Sequence, residues 1–341
     1  MDEESSVNAN RRVFLKAAAF AGAATAAGIG TAIEAAGATT SADRPTGMTF
    51  ATLRQKNVFS LGLKTDRGVF DVAAAEARFR ENAPTTIDAV FKGTGDINGI
   101  RRLVKKAEAR ADSERYFIPL NAVEFGPCVT NPEKIICVGL NYRRHAAETN
   151  SPIPAEPILF NKFNSALNNH GGVIKVSAEN ATQFDYEAEL VIVIGKQARN
   201  VSEIEAGDAI FGYCTGNDFT ARELQRRSSQ WMLGKALDSS APIGPWLVTS
   251  DLVDGDNLKI ECRVNGEVRQ SSNTSDMIFS CKKIVSYASQ YMTLKPGDII
   301  FTGTPEGVIF GKPKEQQVWL KAGDRLVTSI EKLGDLEFKL T

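Results

Sequence analysis

Two glutamates lead into an apolar run in the stretch FDYEAELVIVIG, Phe184 to Gly195, where Glu187 and Glu189 precede Leu190, Val191, Ile192, Val193 and Ile194. A run of this kind reads as a strand covered on both faces. Strand side chains repeat with period two, so the two carboxylates share a face with Val191 and Val193. Ionised carboxylates are rarely buried without a compensating group. A third acid, Asp218, follows another strand-like run, AIFGYCTGNDF. Two carboxylates about 4 Å apart repel by roughly 4 kcal/mol at an effective dielectric near 20. A hard divalent cation turns that repulsion into attraction, and Mg²⁺ suits the pattern because it uses few carboxylates and keeps waters for exchange with a substrate. Spacing alone leaves another reading open, in which Glu187 and Glu189 pair with Arg or Lys or sit at the wet end of an edge strand.

Three further residues carry chemistry. In GLNYRRHAAETN, His145 and Glu148 are three apart and share a face of a helical turn. A histidine hydrogen-bonded to a carboxylate is a usual general-base arrangement for activating water; a surface pair at a helix start is the plain alternative. In MLGKALDSSAPIGPW, Lys235 lies in a mostly apolar stretch bounded by Gly and Pro. It either snorkels to solvent or gives a positive charge to an anionic ligand. The second of the two histidines, His170 in NNHGG, reads as a turn residue.

Positioning these groups falls to a strand-rich region. AELVIVIG, IFGYCTGNDF, PWLVTS, LKIECRVNGEVRQ with its Asn-Gly turn, GDIIFTGTP and DRLVTSIEKLGDLEFKL all read as strands, with SCKKIVSYASQYM the chief helix. Before it, residues 47–127 read as a small amino-terminal domain. Short strands there turn at Asp66-Arg67-Gly68, and Ile100, Leu103, Val104 and Ala107 have the spacing of an amphipathic helix. FGPCVTNPEK reads as a linker, and a second domain covers 131–341. The fold class expected is α+β, dominated by a curved mixed sheet.

Residues 1–42 carry Arg11-Arg12 in RRVFLK, then an Ala/Gly-rich apolar stretch and the small residues Ala36-Gly37-Ala38, which resembles a twin-arginine export signal. That predicts a periplasmic or exported protein, cytoplasmic if the signal is not used. An uncleaved anchor or an Ala-rich helix would give a similar pattern, although the stretch is barely long enough to span a bilayer; no stable membrane anchor is expected. A formal net charge of −1 provides no field to recruit nucleic acid. Hydrophobic content of 43% and charged content of 24% are those of a globular protein. The 5 cysteines show no CxxC spacing, which argues against a zinc site, and Cys137 and Cys214 read as small buried hydrophobes.

In order, the segments GLNYRRHAAE, FNKFNSALNNHGG, DYEAELVIVIG, GYCTGNDFTARELQ, GKALDSSAPIGPW and IIFTGTPEGV resemble the fumarylacetoacetate hydrolase family. The resemblance implies a mixed curved sheet of roll or barrel type, preceded by a small α/β domain. It implies a metal triad of Glu187, Glu189 and Asp218 holding Mg²⁺, with Mn²⁺ or Ca²⁺ as alternatives. His145 and Glu148 match a water-activating dyad, and Lys235 a lysine facing the substrate beside the metal. Arg222, Gln225 and Thr304 match positions that bind the carboxylate and oxo groups of a 2-oxo or β-diketo acid. A homodimer is expected, with hydrolysis of a carbon–carbon bond in an acylpyruvate-like substrate as the first reading. The alternatives are an isomerase or decarboxylase of a dicarboxylic 2-oxo acid from aromatic catabolism, or an exported oxo-acid binder without turnover.

Overall fold

Every residue of the strand Ala188–Ile194 is buried, and its two faces feed different cores. Leu190, Ile192 and Ile194 pack with Ile260, Leu326 and Leu336, whereas Val191 and Val193 pack with Phe50, Leu247 and Ile299. Burial on both faces is the reason the run is continuously apolar. The computed structural model describes residues 45–56 and 58–341. The twin-arginine-type signal expected over 1–42, with Arg11 and Arg12, lies outside the described residues.

A 12-stranded mixed sheet is built around this strand. Its path runs from Phe117–Ile118 through Gly68–Asp71, Val58–Thr65, Thr49–Gln55, Leu247–Thr249, Ile210–Asn217, Ala188–Ile194, Ile299–Phe301 and Ile135–Gly139 to Ile158–Lys162. Ile299–Phe301 and Ile135–Gly139 run parallel, while Ala188–Ile194 is antiparallel to both of its neighbours. A 5-stranded sheet orders Glu267–Asn273, Lys259–Val264, Arg325–Ile330, Gly334–Leu340 and Gly172–Ile174, and its apolar residues cover the Leu190 face. Both strand orders have free ends, so the architecture is an α+β roll without a closed barrel.

Strands of the 47–127 segment extend the large sheet, Thr49–Gln55 pairing with Leu247–Thr249. The described residues fall within one compact unit. In that segment the helix Ile97–Glu108 buries Ile100, Leu103 and Ala107, and the Asp96 side chain caps it by accepting from the Asn98 N–H. The helix Cys281–Tyr291 is capped by Ser280 in the same way. Asn265 and Gly266 both take positive φ, 52° and 86°, the two-residue turn that suits the twist of the flanking strands. All five cysteines are free and buried. Among the described residues no helix is long and apolar enough to cross a membrane.

Candidate active site

Strand register brings the acids together. Glu189 faces Gly216 and Ala188 faces Asn217; one residue further along, the Asp218 N–H donates to the Glu187 carbonyl at 2.9 Å. Glu187, Glu189 and Asp218 therefore leave the ladder on one face. Glycine opposite Glu189 is a packing requirement, because a Cβ on Gly216 would stand 2.5 Å from Val191 Cγ2 and 2.9 Å from Phe301 Cε1. One oxygen from each acid lies within 4.8 Å of the others, and the three residues are 5%, 2% and 0% exposed.

Their partners are unequal. The Lys235 ammonium bridges Glu187 and Asp218, at 2.8 Å from the latter, and Lys162 Nζ reaches the other Asp218 oxygen at 2.6 Å. Arg222 donates from Nη1 to Glu187 at 2.7 Å and from Nε to Asp185 at 2.9 Å. Its remaining nitrogen, Nη2, is buried without a partner. Glu189 accepts from the Gly303 N–H at 2.7 Å, and no cation among the described residues pairs with it. The sequence alternative of pairing with Arg or Lys thus describes Glu187 and not Glu189.

Electrostatics follow those partners. Burial pushes the Glu187 carboxyl up, but Lys235 and Arg222 outweigh it and hold the group well below the usual carboxylate range. For Glu189, burial pushes in the same direction as the neighbouring Asp218 and Glu187, and its proton affinity is strongly raised. Burial alone would lower Lys235, yet Asp218 and Glu187 prevail and keep its ammonium charged. Four buried carboxylates, Asp185 included, meet three buried cations, Lys162, Lys235 and Arg222. Repulsion between a pair of acids at 4.8 Å is about 3–4 kcal/mol at an effective dielectric of 20. An oxygen-only donor set carrying excess negative charge, with one acid left uncompensated, fits a hard divalent cation.

Beside the acids stands the histidine–glutamate pair, on the short helix Arg143–Glu148. His145 Nδ1 lies 2.8 Å from Glu148 Oε1. A carboxylate only accepts, so in this pairing the imidazole proton sits on Nδ1. The second Glu148 oxygen accepts from the Gly307 N–H at 2.9 Å.

One strap, residues 303–311, ties the pair to the acids. Its backbone donates from Gly303 to Glu189, from Gly307 to Glu148, and from Ile309 and Phe310 to Asp185. Gly307 adopts φ +99°, and a Cβ there would strike the Arg269 carbonyl. Thr304 pins the strap to the strand Ala188–Ile194: its hydroxyl donates to the Ala188 carbonyl at 2.9 Å and accepts from Gln270 Nε2 at 2.9 Å. Gln225 accepts from Arg222 Nη1 at 3.2 Å. Lys235 ends the helix Met232–Lys235, which lies close on Ala221 and Gln225 because Gly234 has no side chain.

The structure therefore gathers Glu187, Glu189, Asp218, Lys235 and Arg222 into one network, joins His145 and Glu148 to it through the strap, and gives Thr304 and Gln225 neighbouring positions. Sequence reasoning passed over two members. Asp185 stands two before Glu187, so reading the same period of two one step back would have found it. Lys162 closes the edge strand Ile158–Lys162, where polar neighbours make a buried lysine look like an exposed one. Its partner comes from 56 residues away.

Comparison with known proteins identifies the family. The family described as Fumarylacetoacetate (FAA) hydrolase C-terminal matches residues 134–341. The oxaloacetate tautomerase YisK of Bacillus subtilis (strain 168) is 40% identical over 298 residues, 85% of this chain and 98% of that protein. Among solved structures, the fumarylacetoacetate hydrolase of Exiguobacterium antarcticum has a TM-score of 0.70 and 31% identity, covering 86% of this chain and 99% of that one. Fumarylpyruvate hydrolase of Pseudomonas aeruginosa, solved with Mn²⁺ and pyruvate, has a TM-score of 0.56 and 33% identity over 62% of this chain and 91% of its own. On these matches the chain belongs to the fumarylacetoacetate hydrolase family.

Proposed function

We propose that the protein is an enzyme that interconverts the keto and enol forms of a small dicarboxylic 2-oxo acid of the oxaloacetate type. The observation that carries this reading is the proton-transfer pair, His145 with Glu148, joined by one strap to a buried site that can neutralise an enolate. The tautomerase relative, aligned over 98% of its length, turns the reading from hydrolysis towards isomerisation.

Each group has a part. Glu148, fixed by the Gly307 N–H and by His145, removes a proton from C3 of the 2-oxo acid, and the pair returns it to the enolate oxygen. The Lys235 ammonium, held by Glu187 and Asp218, would stabilise the developing negative charge by hydrogen bonding. Arg222, with Nη2 free, binds a substrate carboxylate. A divalent cation held by Glu187, Glu189 and Asp218, Mg²⁺ or Mn²⁺ by donor type, would supply Lewis-acid polarisation of the 2-oxo group. A second reading, hydrolysis of an acylpyruvate, draws on the similarity to fumarylpyruvate hydrolase and on the same pair, which is placed to activate water.

A substrate panel separates the two. With Mg²⁺ present, the protein should accelerate decay of the oxaloacetate enol absorbance and leave acylpyruvates uncleaved. Glu148→Gln should slow tautomerisation by about 10²–10⁴-fold. Pyruvate release from an acylpyruvate at a higher kcat/KM than oxaloacetate tautomerisation would reverse the assignment.

A further inference from the structure

Two guanidinium groups face one aromatic ring beside the acid network. Arg222 lies 5.5 Å from the centre of the Phe310 ring and Arg226, one helical turn on, lies 5.0 Å from it. Phe310 belongs to the strap, and its N–H is held by Asp185, the carboxylate that also binds Arg222. The ring, Arg222 and the acids are therefore linked by contacts and hydrogen bonds, with Arg226 at the exposed rim. Arg226 is paired with no carboxylate among the described residues; the ring is the partner that orients its charge. Arg222 is already committed to Glu187 and Asp185 through two nitrogens, which leaves Nη2.

We infer that Arg226 is the specificity-determining residue for the distal carboxylate of the substrate, acting with the free Nη2 of Arg222; this rests on the dicarboxylic 2-oxo acid reading above. Arg222 Nη1 is hydrogen-bonded to Glu187, one of the three acids of the candidate cation site, so the unpartnered Nη2 belongs to a guanidinium already in contact with that cluster. A four-carbon diacid separates its carboxylates by only three carbon–carbon bonds, so a distal carboxylate would bind close to the end held at the acids. The charges agree as well. Lys162 and Lys235 are spent on Asp218 and Glu187, so they offer little to a second substrate carboxylate. A guanidinium unpaired at the rim and preoriented on an aromatic face supplies that charge with little ordering cost. A monocarboxylic 2-oxo acid would use the inner groups and leave Arg226 idle.

Binding to the Mg²⁺-loaded protein tests this without relying on turnover. Oxalate reproduces the 2-oxo-carboxylate end of the substrate, and malate is an unreactive analogue carrying both carboxylates. By calorimetry, Arg226→Ala should weaken malate about 10–100-fold, the loss of a charge-assisted contact, and change oxalate by less than about twofold. Arg226→Lys, which keeps the charge but not the planar stack, should fall between. Arg227→Ala, which alters the rim charge equally, should leave both affinities unchanged. Equal weakening of oxalate and malate, an unchanged malate affinity, the same selective loss in Arg227→Ala, or no malate binding by the unaltered protein would each overturn the inference. Failure of the tautomerase reading shows separately, as absence of oxaloacetate tautomerisation by a protein that still binds malate through Arg226.

Discussion

Glu189 differs from its neighbours in lacking a paired lysine or arginine among the described residues, so it is the acid whose ionisation a bound cation would have to secure. Its raised proton affinity comes from burial first and from Asp218 and Glu187 next. A carboxyl raised in the folded state binds more protons there than in the unfolded chain. Its contribution to stability is therefore present at low pH and lost as pH rises through its folded value. A divalent cation must displace that proton. Mg²⁺ binding is expected to release protons on the acid side of the titration, and affinity should rise with pH until Glu189 is ionised. Calorimetry in buffers of different ionisation enthalpy counts the protons; none released at any pH, or affinity falling as pH rises, would contradict this role. At this scale the sequence disclosed chemistry more readily than partnership. Glu187, Glu189 and Asp218 could be picked out by period and by strand ends. That Lys162 would reach Asp218 could not, because its partner depends on which strand lies beside the edge.

Strands and helices were legible where a period exists. The apolar run over Ala188–Ile194, the turn at Asn265-Gly266 and the face of Ile100, Leu103 and Ala107 each follow from spacing, and each is found. The strap 303–311 has no period, and its work is done by backbone N–H groups, which every sequence possesses. Only its glycines hint at it. Gly311 offers a direct test, since a Cβ there would lie 2.5 Å from Glu148 Cδ and 2.8 Å from Glu148 Oε2. The obstacle is the end of a side chain rather than backbone, so Gly311→Ala should displace the carboxylate without unfolding the protein. Tautomerisation is expected to drop by about 10²-fold or more, as for loss of a positioned base, with the melting temperature and Mg²⁺ affinity nearly unchanged. Full activity in Gly311→Ala would mean that Glu148 is not held where the reaction needs it.

For the molecule as a whole, two sheets pack across the Leu190 face, and the acids sit where the central strand of the larger one begins. The α+β class followed from counting strands, but the joining of the 47–127 strands to the same sheet did not, because pairing partners such as Thr49 and Val248 are distant in sequence. The site this architecture holds contains a histidine–glutamate pair, two lysines and an unpartnered guanidinium nitrogen, and the proposed tautomerisation would move a proton there without breaking the carbon skeleton. Proton NMR of oxaloacetate in D₂O, with the Mg²⁺-loaded protein, reads that step itself. The C3 protons should wash out into solvent faster than in buffer alone, the four-carbon acid should remain intact, and Glu148→Gln should abolish the acceleration. Exchange no faster than in buffer, or exchange accompanied by stoichiometric pyruvate, would contradict the tautomerase account.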